Sequence, residues 1–289
     1  MHSSTDLVPL SIEDLAFIRE AAAYLEEPSF LLQVTDLIGK PAELLLAALP
    51  RRIRALVASA THRALLRATK WAIRTLPASD GPSSPAVTDR DARRHTAMTA
   101  CTGAVGGFFG LAGAAVEIPV TTTLMLRSIA RIAVDTGASL DDPETRLQCL
   151  LVFSLGSQPL EAMDSAYLTT RVGMAMALGK ASQWLARASV QEAATAVAKG
   201  TAPALARLVS LIAQRFETVV GQKLALQSLP LIGAATGATL NAAFTSHFNQ
   251  LARYHFGILR LERTHGLEAV QAAYRAACQD RKTPPASML

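Results

Sequence analysis

Two long apolar stretches with regularly spaced glycines constrain the fold of this chain more than any other feature. The first, Thr96–Leu126, contains Glu117 as its only formal charge, and the second, Leu224–Ala252, contains no formal charge. A helix on the surface of a globular protein normally carries charged residues opposite its apolar stripe. Both stretches are therefore predicted to be enclosed, either by other helices or by a lipid bilayer.

The composition of the 289-residue chain favours helices. Hydrophobic residues make up 50% but aromatic residues only 5%, so Ala, Leu, Val and Ile supply most of the apolar content. Ala and Leu are strong helix formers because they lose little rotamer freedom in a helix. We predict an all-α fold, a helical bundle with the two glycine-rich helices packed together at its centre.

The glycines of both stretches are spaced so that they share one helix face. G-x-x-x-G pairs occur in the first stretch, and the second has small residues at intervals of four that end in an amide. Such a face lets a second backbone approach closely. The predicted helix-packing residues are Gly103, Gly106, Gly107, Gly110, Gly113, Gly233, Gly237 and Asn241.

The first stretch is long enough to cross a membrane. From Thr96 to Val116 a helix would measure about 31 Å, the thickness of a bilayer core. Glu117-Ile118-Pro119 is expected to break it, because proline lacks the N–H that a helix interior needs. A transmembrane span, a re-entrant hairpin and a pair of buried core helices all remain open.

The segment Pro50–Arg74 is predicted to be a basic amphipathic helix. It contains seven basic residues and no acidic one, so it accounts for more than the whole net charge of +5. Its apolar stripe comprises Ile53, Val57, Ala60, Ala64, Ala68 and Trp71, about a quarter-turn from the basic side chains. A stripe of this kind can enter lipid while the cations meet phosphate. The candidate membrane- and anion-binding residues are Arg52, Arg63, Arg67, Lys70, Arg74 and Trp71. A helix with a merely solvated basic face would show the same pattern.

Changes in composition along the sequence also divide the chain into four segments. Residues 1–75 form an N-terminal helical region, and the proline- and serine-rich residues 76–90 form a linker. Residues 91–278 form the helical core and 279–289 a disordered tail. The start of the chain lacks a basic region followed by an apolar one, so we expect membrane contact from the cytoplasmic side of the inner membrane, peripheral or partly inserted.

Three segments resemble the EcsC family of mostly bacterial proteins: IGKPAELLLAALP (Ile38–Pro50), GAVGGFFGLAGAAVEIPVTTTLMLRSIARIAVDTG (Gly103–Gly137) and PLIGAATGATLNAAFTSHFNQLARYHFGILRLE (Pro230–Glu262). The resemblance covers roughly residues 26–266. The family is named after a protein encoded beside an ABC transporter, and the resemblance implies a helical, membrane-associated protein with no settled activity. Glu117-Ile118-Pro119 stands where an Asp-x-Pro is common in the family, so the acidic group is kept.

Glu117 is the candidate functional acid, because an ionisable group in an apolar helix is costly. It would alternatively pair with Arg127 or Arg131, or cap the helix that resumes at Pro119. A hydrolase would combine Glu117 with Asp135, Asp164 or a histidine.

No catalytic residue, cofactor or metal site is predicted beyond that. His247 and His255 lie about 12 Å apart on a helix, too far to share one zinc ion. The cysteines, Cys101, Cys149 and Cys278, form no CxxC pair and are predicted to be buried. Trp71 is the only aromatic residue in the basic segment, which disfavours nucleic acid as a partner.

Two functions follow from these features. The first is a membrane-associated, non-enzymatic accessory or interaction protein of the bacterial envelope or transport machinery, which binds anionic lipid through the basic helix. The second is a soluble helical bundle that binds a protein partner. A homo-oligomer is compatible with either, since G-x-x-x-G faces join chains as well as helices.

Overall fold

Helices account for all the regular secondary structure that the computed structural model describes, which is residues 8–26, 51–75, 110–156, 165–227 and 234–282. The all-α prediction is confirmed. The helices are α1 (Ile12–Glu26), α2 (Arg51–Thr75), α3 (Gly110–Asp135), α4 (Pro143–Leu151), α5 (Ala166–Arg187), α6 (Val190–Lys199), α7 (Pro203–Gln227), α8 (Ala234–His265) and α9 (Leu267–Lys282), with a short 3-10 helix, Val152–Ser154, after α4.

The helices pack into two groups that share α8. α2 packs most extensively against α3, and also against α7 and α6. α1 packs against α9 and α8, while α8 also packs against α3. α4, the 3-10 helix and α5 connect the groups, because α5 contacts both α7 of the first group and α1 of the second. Every described helix contributes buried apolar residues to the core.

Four phenylalanines form the aromatic centre of the core. Phe153 of the 3-10 helix, Phe216 of α7, and Phe244 and Phe248 of α8 are all buried. The ring centroids of Phe153 and Phe216 are 4.8 Å apart, and those of Phe244 and Phe248 are 5.1 Å apart in an edge-to-face arrangement. Tilted and edge-to-face pairs stabilise a core beyond the area that they bury.

Local capping explains several helix boundaries. Asp142 accepts hydrogen bonds from the N–H groups of Glu144 and Thr145 at the start of α4. Ser189 and Glu192 form a capping box at the start of α6, and Gly200 ends α6 with φ of 68°. The positive φ explains the glycine, because other residues adopt that backbone conformation at a cost. Residues 166–199 thus form two separate helices, α5 and α6.

Glu26, the last residue of α1, caps α5 from a distance. Its carboxylate accepts hydrogen bonds from Ser165 Oγ at 2.6 Å, from the Ala166 N–H at 2.6 Å and from the hydroxyl of buried Tyr274 at 3.0 Å. Burial is the main cause that raises the pKa of Tyr274, so its hydroxyl keeps the proton that it donates. This carboxylate thus joins α1, α5 and α9.

Glu26→Ala is expected to lower the free energy of unfolding by about 2 kcal/mol, because it leaves enclosed donors without an acceptor. Urea denaturation followed by circular dichroism measures the change. Glu20→Ala, at an exposed position of the same helix, is the control and should stay within about 0.5 kcal/mol of the unsubstituted chain. Equal stability of the two variants would contradict the capping role of Glu26.

The structure corrects the expected break at Pro119. α3 is continuous from Gly110 to Asp135 with Pro119 in its interior. In the turn after the proline, the Thr122 hydroxyl donates to the Ile118 carbonyl at 2.7 Å and the Thr123 hydroxyl donates to the Pro119 carbonyl at 2.9 Å.

Several predictions concern residues outside the described ranges. The residues outside these ranges include the linker at residues 76–90 and the glycines Gly103, Gly106, Gly107 and Gly233. Gly110 and Gly113 lie in α3, and Gly237 lies in α8. The packing of the two glycine faces against each other stays a prediction. Of the predicted tail, residues 279–282 belong to α9.

Candidate functional site

The basic face of α2 is the clearest candidate for a binding surface. We define it as Arg63, Arg67, Lys70 and Arg74. These four side chains fall within about 60° of the helix circumference at 100° per residue. The three arginines are exposed and Lys70 is half-buried. Arg52 belongs to the same helix, but its side chain lies outside the described residues.

The cations of the basic face have no acidic partner within the described part of the chain. None of the four forms an ion pair there, and α2 contains no acidic residue. Their charges therefore add, which creates a local positive potential that attracts an anionic surface. By contrast, Arg171 of α5 forms a two-pronged pair with Glu262 of α8, with both N–O distances at 2.7 Å.

Trp71 extends the basic face towards α3. Its ring is half-buried, and the Arg127 guanidinium carbon lies 5.6 Å from the ring centroid. Arg127 is itself exposed, as is Val120 two turns before it. Two helices thus present cations, an indole ring and an apolar side chain on neighbouring surface. This combination is typical of interfacial helices.

The apolar stripe of α2 faces protein. Val57, Ala60, Ala64 and Ala68 are all buried in the core, where α2 packs against α3 and α7. The expectation that this stripe enters lipid does not fit the packed structure, because burial against the neighbouring helices already removes the stripe from water. The exposed part of α2 is its cationic side.

Glu117 forms a buried ion pair with Lys223 of α7. Lys223 Nζ lies 2.6 Å from Glu117 Oε1, and the two side chains are only 3% and 4% exposed. The expected partners are otherwise engaged, since Arg127 lies over Trp71 and Arg131 lies 3.7 Å from Asp135. Burial lowers the pKa of Lys223, and the Glu117 carboxylate acts in the opposite direction. The hydrolase hypothesis needs this carboxylate to reach a substrate, and its enclosure counts against that role.

The ion pair lies beside a polar part of α8. Lys223 Nζ is 5.1 Å from the ring centroid of Phe244, so the ring also stabilises the cation. Asn241 and Thr245, one turn apart on the same helix, are buried. In the sequence, Lys223 directly precedes Leu224, the first residue of the second uncharged stretch. This position is the sequence feature that could have indicated its part in the buried ion pair.

His247 and His255, two of the three histidines of α8, are enclosed and hydrogen-bonded. His255 lies 3.0 Å from the Tyr167 hydroxyl and 3.0 Å from Gln148 Oε1. His247 Nδ1 lies 2.9 Å from the Tyr24 hydroxyl. Burial lowers the pKa of His247 to about 4. Burial, followed by the nearby Arg171 guanidinium, holds the pKa of His255 well below 6.5. Both rings are therefore neutral at physiological pH.

The described ranges contain no group of three or more His, Cys, Asp or Glu side chains able to hold a metal ion. Cys149 and Cys278 are buried, and burial raises the pKa of Cys149. Cys101 lies outside these ranges. A cavity of about 320 Å³ lies between α4 and α8, and Gln148, Glu262 and Arg263 form part of its lining. Because Gln148 is also a hydrogen-bond partner of His255, the cavity adjoins the hydrogen bonds of that histidine.

A helix can cross a bilayer only if it is long and apolar enough. No single described helix is long and apolar enough to cross a bilayer, although Val190–Lys199 and Pro203–Leu224 satisfy the criterion together as a pair bent by 62°.

Comparison with known proteins gives one match. No curated protein and no solved structure matches this chain. The model of the EcsC protein family matches residues 33–261, a range that contains the basic face, Glu117, Lys223 and Asn241. Because the match spans well over half of the 289 residues, the chain belongs to the EcsC protein family.

Proposed function

We propose that this EcsC family protein is a peripheral membrane protein that docks on anionic lipid through the basic face of α2, as a non-enzymatic accessory or interaction protein of the bacterial envelope or transport machinery. One observation carries the proposal: Arg63, Arg67 and Arg74 are exposed on one side of a helix that has no acidic residue. Each cation near an anionic bilayer contributes about 1 kcal/mol to binding.

The buried stripe determines how the docking works. Since Val57, Ala60 and Ala64 are enclosed by neighbouring helices, binding depends on charge and on the exposed rim of Trp71, Arg127 and Val120. Charge interactions between exposed groups are screened by salt. Binding is therefore expected to be reversible by high salt.

The test is flotation of the purified full chain with vesicles. Vesicles of phosphatidylcholine alone are compared with vesicles that also contain phosphatidylglycerol, at low and high salt. We expect flotation only with the anionic vesicles and its loss in high salt. Flotation that resists salt would indicate insertion, and equal flotation with neutral vesicles would contradict the electrostatic mechanism.

Arg63→Gln combined with Arg67→Gln is expected to weaken vesicle binding about 30-fold, because two cations are lost from one surface. Arg187→Gln combined with Arg253→Gln is the matched control, with the same net charge removed from exposed positions of α5 and α8. Equal losses in the two double variants would show that total charge, and not the basic face, governs binding.

A protein-interaction module is the second candidate function. The burial of the apolar stripe favours it, because the same basic face can recognise an acidic protein surface without lipid insertion. Absence of flotation under every vesicle condition would support this function over membrane docking.

A further inference from the structure

A hollow lies where α6 meets α7, beside α2. Its volume is about 280 Å³. α2 contributes His62, Leu66 and Thr69, α6 and its C-terminal turn contribute residues 196–200, and α7 contributes Leu205 and Ala206. The axes of α6 and α7 differ by 62°, so the bend after Gly200 opens a space that α2 closes from one side.

Small residues keep this hollow open. Ala196, Ala198, Ala202 and Ala206 all line it, together with Gly200. A Cβ added at Gly200 would meet no atom within 4 Å. Protein cores are normally packed without such space, so larger apolar residues at these positions would fill it. The size is close to the lower limit of about 300 Å³ for ligand pockets, which suits one slender apolar chain better than a bulky ligand.

The rim of the hollow is cationic. Among the described residues that line it, His62 and Lys199 are the titratable ones and none is acidic. Leu66 lies between Arg63 and Lys70 on the surface of α2, since residues three and four positions apart are neighbours on a helix. The C-terminal carbonyls of α6 carry partial negative charge, but two of them accept hydrogen bonds from the Gly200 and Thr201 N–H groups. The full charges of Lys199 and the basic face dominate.

The walls of the hollow are formed largely by an apolar pair of helices in the described part of the chain. The α6–α7 pair is the one pair in that part whose length and hydropathy suit a membrane. The hollow in this pair is apolar, and its cationic rim lies next to the surface proposed to dock on anionic lipid. It therefore has the two features that bind an amphiphile. The tail finds an apolar lining and the headgroup finds positive charge.

We infer that this cavity binds the acyl chain of a single-chain anionic lipid, with the chain between α2, α6 and α7 and the headgroup at Lys199 and His62. The inference rests on the proposed function only for the source of the lipid, the anionic bilayer. Its test uses soluble amphiphile without vesicles, so the two proposals fail independently.

The experiment measures binding of laurate, below its micelle concentration, to the full chain by isothermal titration calorimetry. Ala206→Leu is expected to weaken binding at least about ten-fold, the equivalent of leaving two methylene groups outside the cavity. Ala198→Leu, at an exposed position of the rim, narrows the same cavity without a change in the core. Ala186→Leu on exposed α5 is the control and should bind laurate like the unsubstituted chain.

Charge recognition is tested with dodecanol, which has the same chain length and no charge. Lys199→Gln is expected to weaken laurate binding about five-fold and to leave dodecanol binding unchanged. Three results would overturn the inference: no binding of laurate, laurate binding that survives both leucine substitutions in the cavity, or equal effects of Lys199→Gln on the two amphiphiles.

Discussion

Lys223→Met is expected to lower the free energy of unfolding by about 3–5 kcal/mol. The substitution removes the partner of Glu117, whose side chain is 4% exposed, and an uncompensated charge in a protein interior is strongly destabilising. Glu117→Gln is also expected to lower the free energy of unfolding, because it leaves the buried Lys223 ammonium without its carboxylate partner. The Phe244 ring, whose centroid lies 5.1 Å from Lys223 Nζ, is then a remaining contact of that charge. Chemical denaturation of each variant measures these values.

The double variant Glu117→Met with Lys223→Met separates the attraction between the charges from the penalty for stranding one of them. Replacing a whole buried ion pair by apolar side chains is often neutral or stabilising. We therefore expect the double variant to recover most of the stability that either single variant loses. Lys180→Met, at an exposed position of α5, controls for the methionine itself. Single variants as stable as this control would contradict the enclosed ion pair.

Acidification from pH 6.5 to pH 4 is expected to remove about 3 kcal/mol of stability through His247 alone. Burial lowers its folded-state pKa to about 4, whereas the unfolded chain has the ordinary value of about 6.5. In this window the unfolded state binds a proton that the folded state does not bind. Stability therefore rises with pH across the window and is lost as pH falls towards 4.

His247→Asn tests this prediction, since the asparagine amide can still meet the Tyr24 hydroxyl but does not titrate. Urea unfolding at a series of pH values should show a shallower slope between pH 4 and 6.5 for this variant. His62→Asn, at a half-exposed position of α2, is the control and should keep the slope of the unsubstituted chain. His255, whose pKa is also lowered, contributes to the slope that remains. Identical slopes for His247→Asn and His62→Asn would exclude His247 as a source of the acid sensitivity.

The sequence by itself determined the all-α fold class, the family and the side of α2 that carries its cations. Helix propensity and hydrophobic periodicity are local properties, so the residues of one segment suffice to read them. The spacing of Arg63, Arg67 and Arg74 places them together on any helix that contains them. In the same way, the absence of any other formal charge from Thr96–Leu126 singles out Glu117 as an ionisable group in an apolar segment.

Only the tertiary structure decided what each of those faces meets. Glu117 pairs with a lysine 106 positions further along the chain, and neither the spacing nor the charge pattern of either helix specifies that pairing. The stripe of Val57, Ala60 and Ala64 suits lipid and protein equally, and packing against α3 and α7 settled it in favour of protein. The hollow beside Gly200 depends on the angle between two helices and on the approach of a third. Such angles arise from the fit of side chains that are distant in sequence, so no single segment determines them.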